Sequence, residues 1–380
     1  MKVLIASNLD SRHPFGQFTR PYFLGAGMAE AGHEVANVGL DCSRVTFGPS
    51  WSIGHASLRR LGSAITAAVR RFRPDVVYAH QNLPAAAAVL AARATPVAAD
   101  FHSIPSVEWL ALARGARGGE LGRYLAAAAK ARAAERFVAG RADLVIAAST
   151  QMAEEVARRY TPRTTPVAVP NGVDPALLDA PAPLAMPFAA GTRNVVATIP
   201  TAASPSNRLA LDFLREATLS LGDGPGTPAV HVLGSAHGPA APGLHYQGFQ
   251  EYLLPWMDGA DVCALPYPER ARLYGGARNK LLEYLARGRT LVTTVEGLRG
   301  LEEAATWQGV SVTDDDPAAF AAALCAAAAP NASRLDVERA LVHRLLRWDV
   351  LGRRVVEALG PIAGDSTEPQ ERHEPASQAS

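Results

Sequence analysis

Asp143-Leu144-Val145-Ile146-Ala147-Ala148-Ser149-Thr150-Gln151-Met152-Ala153-Glu154-Glu155 changes character part-way along. Its first half is apolar without a polar alternate, the pattern of a strand covered on both faces of a parallel sheet. Thr150 is then the predicted N-cap of a helix over 151–160, with Glu154 and Glu155 facing its positive end. A strand that runs into a helix rejoins its sheet in parallel, through a right-handed crossover.

The unit recurs on both sides. Upstream, strands are predicted at 2–7, 34–38, 75–80 and 97–102, with helices at 22–31, 56–72, 84–94 and 119–140. Downstream, strands are predicted at 194–199, 229–233, 261–266, 290–295 and 309–312. Helices are predicted there at 207–220, 250–258, 277–287, 317–328 and 336–359. This alternation predicts an α/β chain of two Rossmann-like, doubly wound parallel-sheet domains facing a central cleft. The first covers 1–180 and the second 193–335. Pro and Ala dominate 181–192, a predicted linker, and the Glu/Pro/Gln/Ser-rich tail 362–380 is predicted to be disordered.

The chain has 380 residues, 48% hydrophobic and 19% charged, with net charge +1. Two cores fit that length, and the balance gives no electrostatic basis for nucleic-acid binding. Cys42, Cys263 and Cys325 lie far apart, without a CxxC pair. They form neither a disulfide framework nor a zinc site, and read as thiols in a reducing compartment. The apolar start, 1–7, is too short for a signal segment, and no run reaches the roughly 18 apolar residues of a membrane span. The expected location is the cytoplasm.

Ligands of open α/β sheets bind outside the carboxyl ends of the strands. The strongest chemical signal of that kind is 273–288, LYGGARNKLLEYLARG. Gly275 and Gly276 open a helix whose N–H groups suit a phosphate. Arg278 and Lys280 place cations in its first turn, which is unfavourable unless an anion sits there. Glu283 lies about 10 Å along the axis from Gly276 at roughly 1.5 Å per residue. That is the span from a diphosphate to a ribose.

Weaker candidates share the cleft. Arg208, after the 194–199 strand, suits a phosphate, and Gly234 makes a turn after the 229–233 strand. His102 closes the 97–102 strand as a hydrogen-bonding or acid–base group. The turn at Gly16 lacks GxGxxG spacing, so a nicotinamide cofactor is not indicated. HExxH, Walker A and GxSxG patterns are also missing, and no DxD stands where a metal-chelating aspartate pair is expected; Asp314-Asp315-Asp316 reads as a cap cluster at a helix start. Phosphate neutralisation then falls to Arg, Lys and helix dipoles, with neither cofactor nor metal. The stretch 111–141 carries seven cations against two carboxylates and an apolar side, the composition for weak contact with an anionic membrane or acceptor.

With Gly16, GHEV (32–35), DFH ending at His102, AST (148–150), VPNGVD (169–174), NKLLEYLARG (279–288) and GLRG (297–300), the chain resembles a GT-B glycosyltransferase of the retaining family 4 type, group 1. The likeness runs to about residue 360. It implies sugar transfer from a nucleotide diphosphate sugar, UDP rather than GDP, to a hydroxyl of a small-molecule, polysaccharide or lipid-linked acceptor. It implies Glu283 on the ribose, Asn279 and the Gly275 and Gly276 amides near the donor, and His102 at the donor–acceptor junction. Arg208, Lys280 and Arg278 share the diphosphate, without a metal. The family's first E-x7-E glutamate falls at Gly275, a departure that bears on donor choice. The final helix, 336–361 with Trp348, is implied to cross back to the first domain. An inactive nucleotide-binding GT-B protein and a sugar-nucleotide epimerase share these features.

Overall fold

The computed structural model describes residues 1–12, 19–114, 116–181, 187–188, 191–202, 204–222, 224, 226–272, 276–328 and 332–364. Gly16, Gly275, most of the 181–192 linker and the tail from 365 on lie outside the described residues.

The first domain holds β1 (Lys2–Ala6), α1 (Thr19–Glu30), β2 (Glu34–Gly39), β3 (Ser50–Ser52), α2 (Leu58–Phe72), β4 (Val76–His80) and α3 (Asn82–Ala91). It continues with β5 (Val97–Phe101), α4 (Pro105–Ala113), α5 (Gly118–Ala139), β6 (Leu144–Ala147), α6 (Thr150–Arg159) and β7 (Val167–Ala168); α7 (Pro175–Asp179) follows, with its Leu178 in the second domain's core. Its sheet runs β3-β2-β1-β4-β5-β6-β7, with every pairing parallel. The second domain holds β8 (Asn194–Thr198), α8 (Pro205–Leu221), β9 (Ala229–Leu233), β10 (Leu244–Gly248), α9 (Leu254–Gly259), β11 (Val262–Leu265) and α10 (Asn279–Ala286). β12 (Leu291–Thr294), β13 (Val310–Thr313) and α11 (Pro317–Ala326) follow. Its sheet runs β10-β9-β8-β11-β12-β13, again all parallel. Both orders reverse beside the first strand of the domain, and that reversal opens a crevice at the strand ends.

The apolar runs are buried on both faces, as their pattern predicts. Leu4, Ala36, Val77, Ala99 and Val145 pack on one face of the first sheet, and Val3, Ile5, Val35, Tyr78 and Ile146 on the other.

Four expectations are corrected. The cap of α6 is Ser149, which accepts from the Met152 N–H at 3.2 Å, so Thr150 is already helical. Glu154 and Glu155 fall beyond the first turn, and Glu155 instead binds Arg158 and Arg159. The predicted helix 336–359 is two helices, α12 (Ala332–Leu345) and α13 (Trp348–Leu359). Val342 and Leu346 stay in the second domain's core, whereas Trp348, Leu351, Val355 and Leu359 join Val3, Ile5, Leu24 and Met28 of the first. Finally, the cations of α5 form no single stripe. At about 100° per residue, Arg123 and Lys130 share one side while Arg132 faces the opposite one.

α13 crosses α1 at two glycines. A Cβ on Gly27 would lie 2.7 Å from the Trp348 carbonyl oxygen, and one on Gly352 2.7 Å from the Gly27 carbonyl carbon. Gly27→Ala therefore loses about 1–3 kcal/mol to overpacking against backbone, more than the ~1 kcal/mol of helix propensity it gains. Gly122→Ala in α5, with nothing within 4 Å, gains the propensity alone. Urea denaturation is expected to lower the midpoint of the first variant and keep or raise that of the second. Equal midpoints would show that the helices have room to part.

Candidate functional site

The first wall of the cleft is built on a buried ion pair. Asp100 sits near the carboxyl end of β5, and Arg20 in the first turn of α1, at 1% and 3% exposure. Arg20 Nε donates to Asp100 Oδ1 at 3.1 Å and Nη2 to Oδ2 at 3.0 Å. Its remaining donors reach the Val169 carbonyl at 2.9 Å, the Pro170 carbonyl at 2.9 Å and Asn171 Oδ1 at 3.2 Å. Tyr78 OH also donates to Asp100, and His102 Nε2 lies 3.2 Å from Asp100 Oδ1. Burial pushes the Asp100 carboxyl up, but Arg20 and His102 outweigh it and hold it well below the usual carboxylate range. Burial lowers the pKa of His102 and, more strongly, that of His80, whose Nδ1 is 2.8 Å from His102 Nε2.

His80, Asp100 and His102 hold their ligand atoms within 4.8 Å of one another. The residues fit a metal ion poorly. The carboxylate is already neutralised by a bidentate guanidinium, which repels a second cation. The 2.8 Å contact between the rings is a hydrogen bond.

The opposite wall is the start of α10. Its first turn has no acidic residue and no side-chain cap, so the positive end stays uncompensated from within the helix. Lys280 Nζ lies 2.5 Å from Glu283 Oε2 one turn on. Arg278 stacks on Tyr267, with Cζ 3.6 Å from the ring centre. Its Nη2 reaches Glu296 Oε1 only at 3.5 Å, and its Nε is buried without a partner. Glu296, 2% exposed, takes its short bond from Arg299 Nε at 2.6 Å.

Three contacts close the domains over the cleft. Arg299 Nη1 donates to Gln151 Oε1 of α6 at 2.7 Å, and Asn171 Nδ2 to the Ala277 carbonyl at 3.0 Å. Gly276 presses against the end of β6, where a Cβ would stand 2.6 Å from the Ala148 carbonyl oxygen. Between the walls lies a cavity of about 220 Å³, lined by His102, Ser103, Glu108, Asn171, Gly276, Ala277, Arg278, Asn279, Glu296 and Arg299. Burial raises the pKa of Glu108.

Of the residues singled out in the sequence, His102, Gly276, Arg278 and Asn279 line this cavity, with Lys280 next to Asn279 in the first turn of α10 and Glu283 one turn further on. Arg208 is exposed on the first turn of α8, donates to the Ala202 carbonyl at 3.4 Å, and does not line the cavity. Gly234 has φ +130°, and a Cβ there would lie 2.1 Å from the Ile199 carbonyl oxygen, so that turn is a packing contact between two strand ends. Glu108 and Glu296 are not singled out in the sequence, Arg299 and Asn171 stand there only within the GLRG and VPNGVD motifs, and the buried pairing of Arg20 is not anticipated there. An aspartate inside the apolar run VAADF was the available signal for the buried pair.

The family model for Glycosyltransferase Family 4 matches residues 16–177, and that for Glycosyl transferases group 1 matches 213–329. No curated protein matches. Among solved structures, the sucrose-phosphate synthase of Thermosynechococcus elongatus is 15% identical, with TM-score 0.70 over 96% of this chain and 99% of that one. HepE of Anabaena, solved with UDP and glucose, is 14% identical, with TM-score 0.66 over 95% and 100% of the two chains. A glycosyltransferase of Rickettsia africae is 11% identical, with TM-score 0.62 over 96% and 99%. With one family model on each domain and this architecture throughout, the chain belongs to the group 1 glycosyltransferases of GT-B fold.

Proposed function

We infer that the enzyme moves a sugar from a UDP-sugar to an acceptor hydroxyl with retention at the anomeric carbon and without a metal. The observation that carries the reading is the start of α10. Its first turn carries no acidic residue, Arg278 at its N-cap and Asn279 line the cavity, and Lys280, paired with Glu283, lies beside them. A helix start of that kind favours a diphosphate. HepE, of the same fold, has been solved with UDP and with UDP-glucose.

In this reading the diphosphate lies on the α10 N-terminus, Arg278 and Lys280. Glu283 turns from Lys280 to the ribose hydroxyls. The sugar fills the cavity under His102. As the bond from the anomeric carbon to the diphosphate oxygen breaks, the acceptor oxygen bonds to that carbon on the same face. The acceptor's proton passes to the departing diphosphate. The protein's part is positioning and stabilisation of the leaving charge. The interdomain contacts through Asn171 and Arg299 keep water from the sugar.

Lys280→Ala is expected to weaken UDP binding by calorimetry about 10- to 100-fold, the loss of one bond to a charged group. Wild-type affinity in that variant would remove the phosphate assignment. Turnover of UDP-sugars is expected to survive exhaustive EDTA treatment, and loss restored by manganese would contradict the metal-free mechanism. Proton NMR of the product is expected to show the donor's anomeric configuration.

A further inference from the structure

His102 meets the cleft through only one of its ring nitrogens. Nε2 is turned inward, 3.2 Å from Asp100 Oδ1 and 2.8 Å from His80 Nδ1. Among the described residues no group bonds to Nδ1, while the ring itself lines the cavity. A single proton serves the pair of ring nitrogens 2.8 Å apart. Placed on His80 Nδ1, it would turn the His102 Nε2 lone pair toward an ionised, buried carboxylate. Placed on His102 Nε2, it makes a charge-assisted bond to Asp100 and faces the His80 lone pair as well. His80 Nε2 is buried without a partner in both arrangements, so it does not reverse the choice. Arg20 and Tyr78 hold the carboxylate in place by three of its other bonds.

The geometry points to Asp100, clamped by Arg20, as a positioning residue that fixes His102 as the Nε2–H tautomer, leaving Nδ1 as an obligate hydrogen-bond acceptor for a substrate hydroxyl. This rests on the reading of the cavity as the sugar site. It divides the cleft chemically. A phosphate or carboxylate oxygen is repelled by the Nδ1 lone pair and goes to the cationic wall at α10, and a hydroxyl of the sugar or acceptor goes to His102.

Long-range proton–nitrogen correlation spectra of the full chain, labelled at histidine nitrogens and recorded near neutral pH, read the tautomer directly. The His102 signal is the one lost in His102→Asn. A neutral ring carrying its proton on Nε2 is expected, and a proton on Nδ1 or on both nitrogens overturns the proposal. In Asp100→Asn the Nε2–H form is expected to lose population. The kcat should fall about 100-fold, the scale of a misplaced reacting group, while the donor KM stays within about threefold. A folded variant with unchanged kcat and tautomer overturns the positioning role. Should the variant fail to fold, the wild-type spectrum still decides. UDP calorimetry separates the two levels: UDP binding with the wrong tautomer sinks this inference alone, and no UDP binding sinks the functional reading.

Discussion

The Arg20–Asp100 pair is the contact on which the cleft depends. Two charges removed from water are tolerable only when their remaining donors and lone pairs are satisfied, and removing one partner typically costs about 3–5 kcal/mol. Here the remaining donors are used for construction. One guanidinium ties the start of α1 to the end of β5 and to three successive positions of the segment leaving the first domain, Val169, Pro170 and Asn171. Asn171 passes the constraint to the Ala277 carbonyl, just before α10. A chain of hydrogen bonds thus runs from the histidine wall to the opposite, cationic wall.

The two walls are electrostatically unlike. On the first, burial keeps His80 and His102 neutral while Asp100 stays ionised against its guanidinium. On the second, the helix dipole, Arg278 and Lys280 present positive charge that Glu296 and Glu283 offset only in part. Such an arrangement suits a ligand with an anionic end and a hydroxylated end, which is the chemistry of a sugar nucleotide.

Much of this was legible in the amino-acid sequence, for local reasons. The inner strands of both sheets are apolar runs because they are covered on both faces. β3, β7 and β10 escaped detection as sheet-edge strands that are short or mixed in polarity, such as SWS and LHYQG. The α10 helix was legible as a segment but not at its start: it begins at Asn279 with Arg278 as N-cap, not at the glycine pair expected to open it. Arg20 and Asp100 are 80 positions apart, and only folding brings them together. The break between α12 and α13 has no proline or glycine to announce it. It is set by the parallel bridge of Arg347 to Val173 and the bond from the Val173 N–H to the Leu346 carbonyl at 2.7 Å.

That bridge has a mechanical side. The polypeptide passes between the domains twice, after Asn171 and again before Trp348, and the two passages are stitched side by side at Val173. Two straps joined side by side by a backbone bond oppose torsion between the domains more than a single passage would. α13 and the residues just after it, Ile362 and Ala363, pack on the first domain. A fluorophore at Gly364 would therefore report on the histidine wall, and a second dye on the outer face of α8 would measure its distance from the second domain.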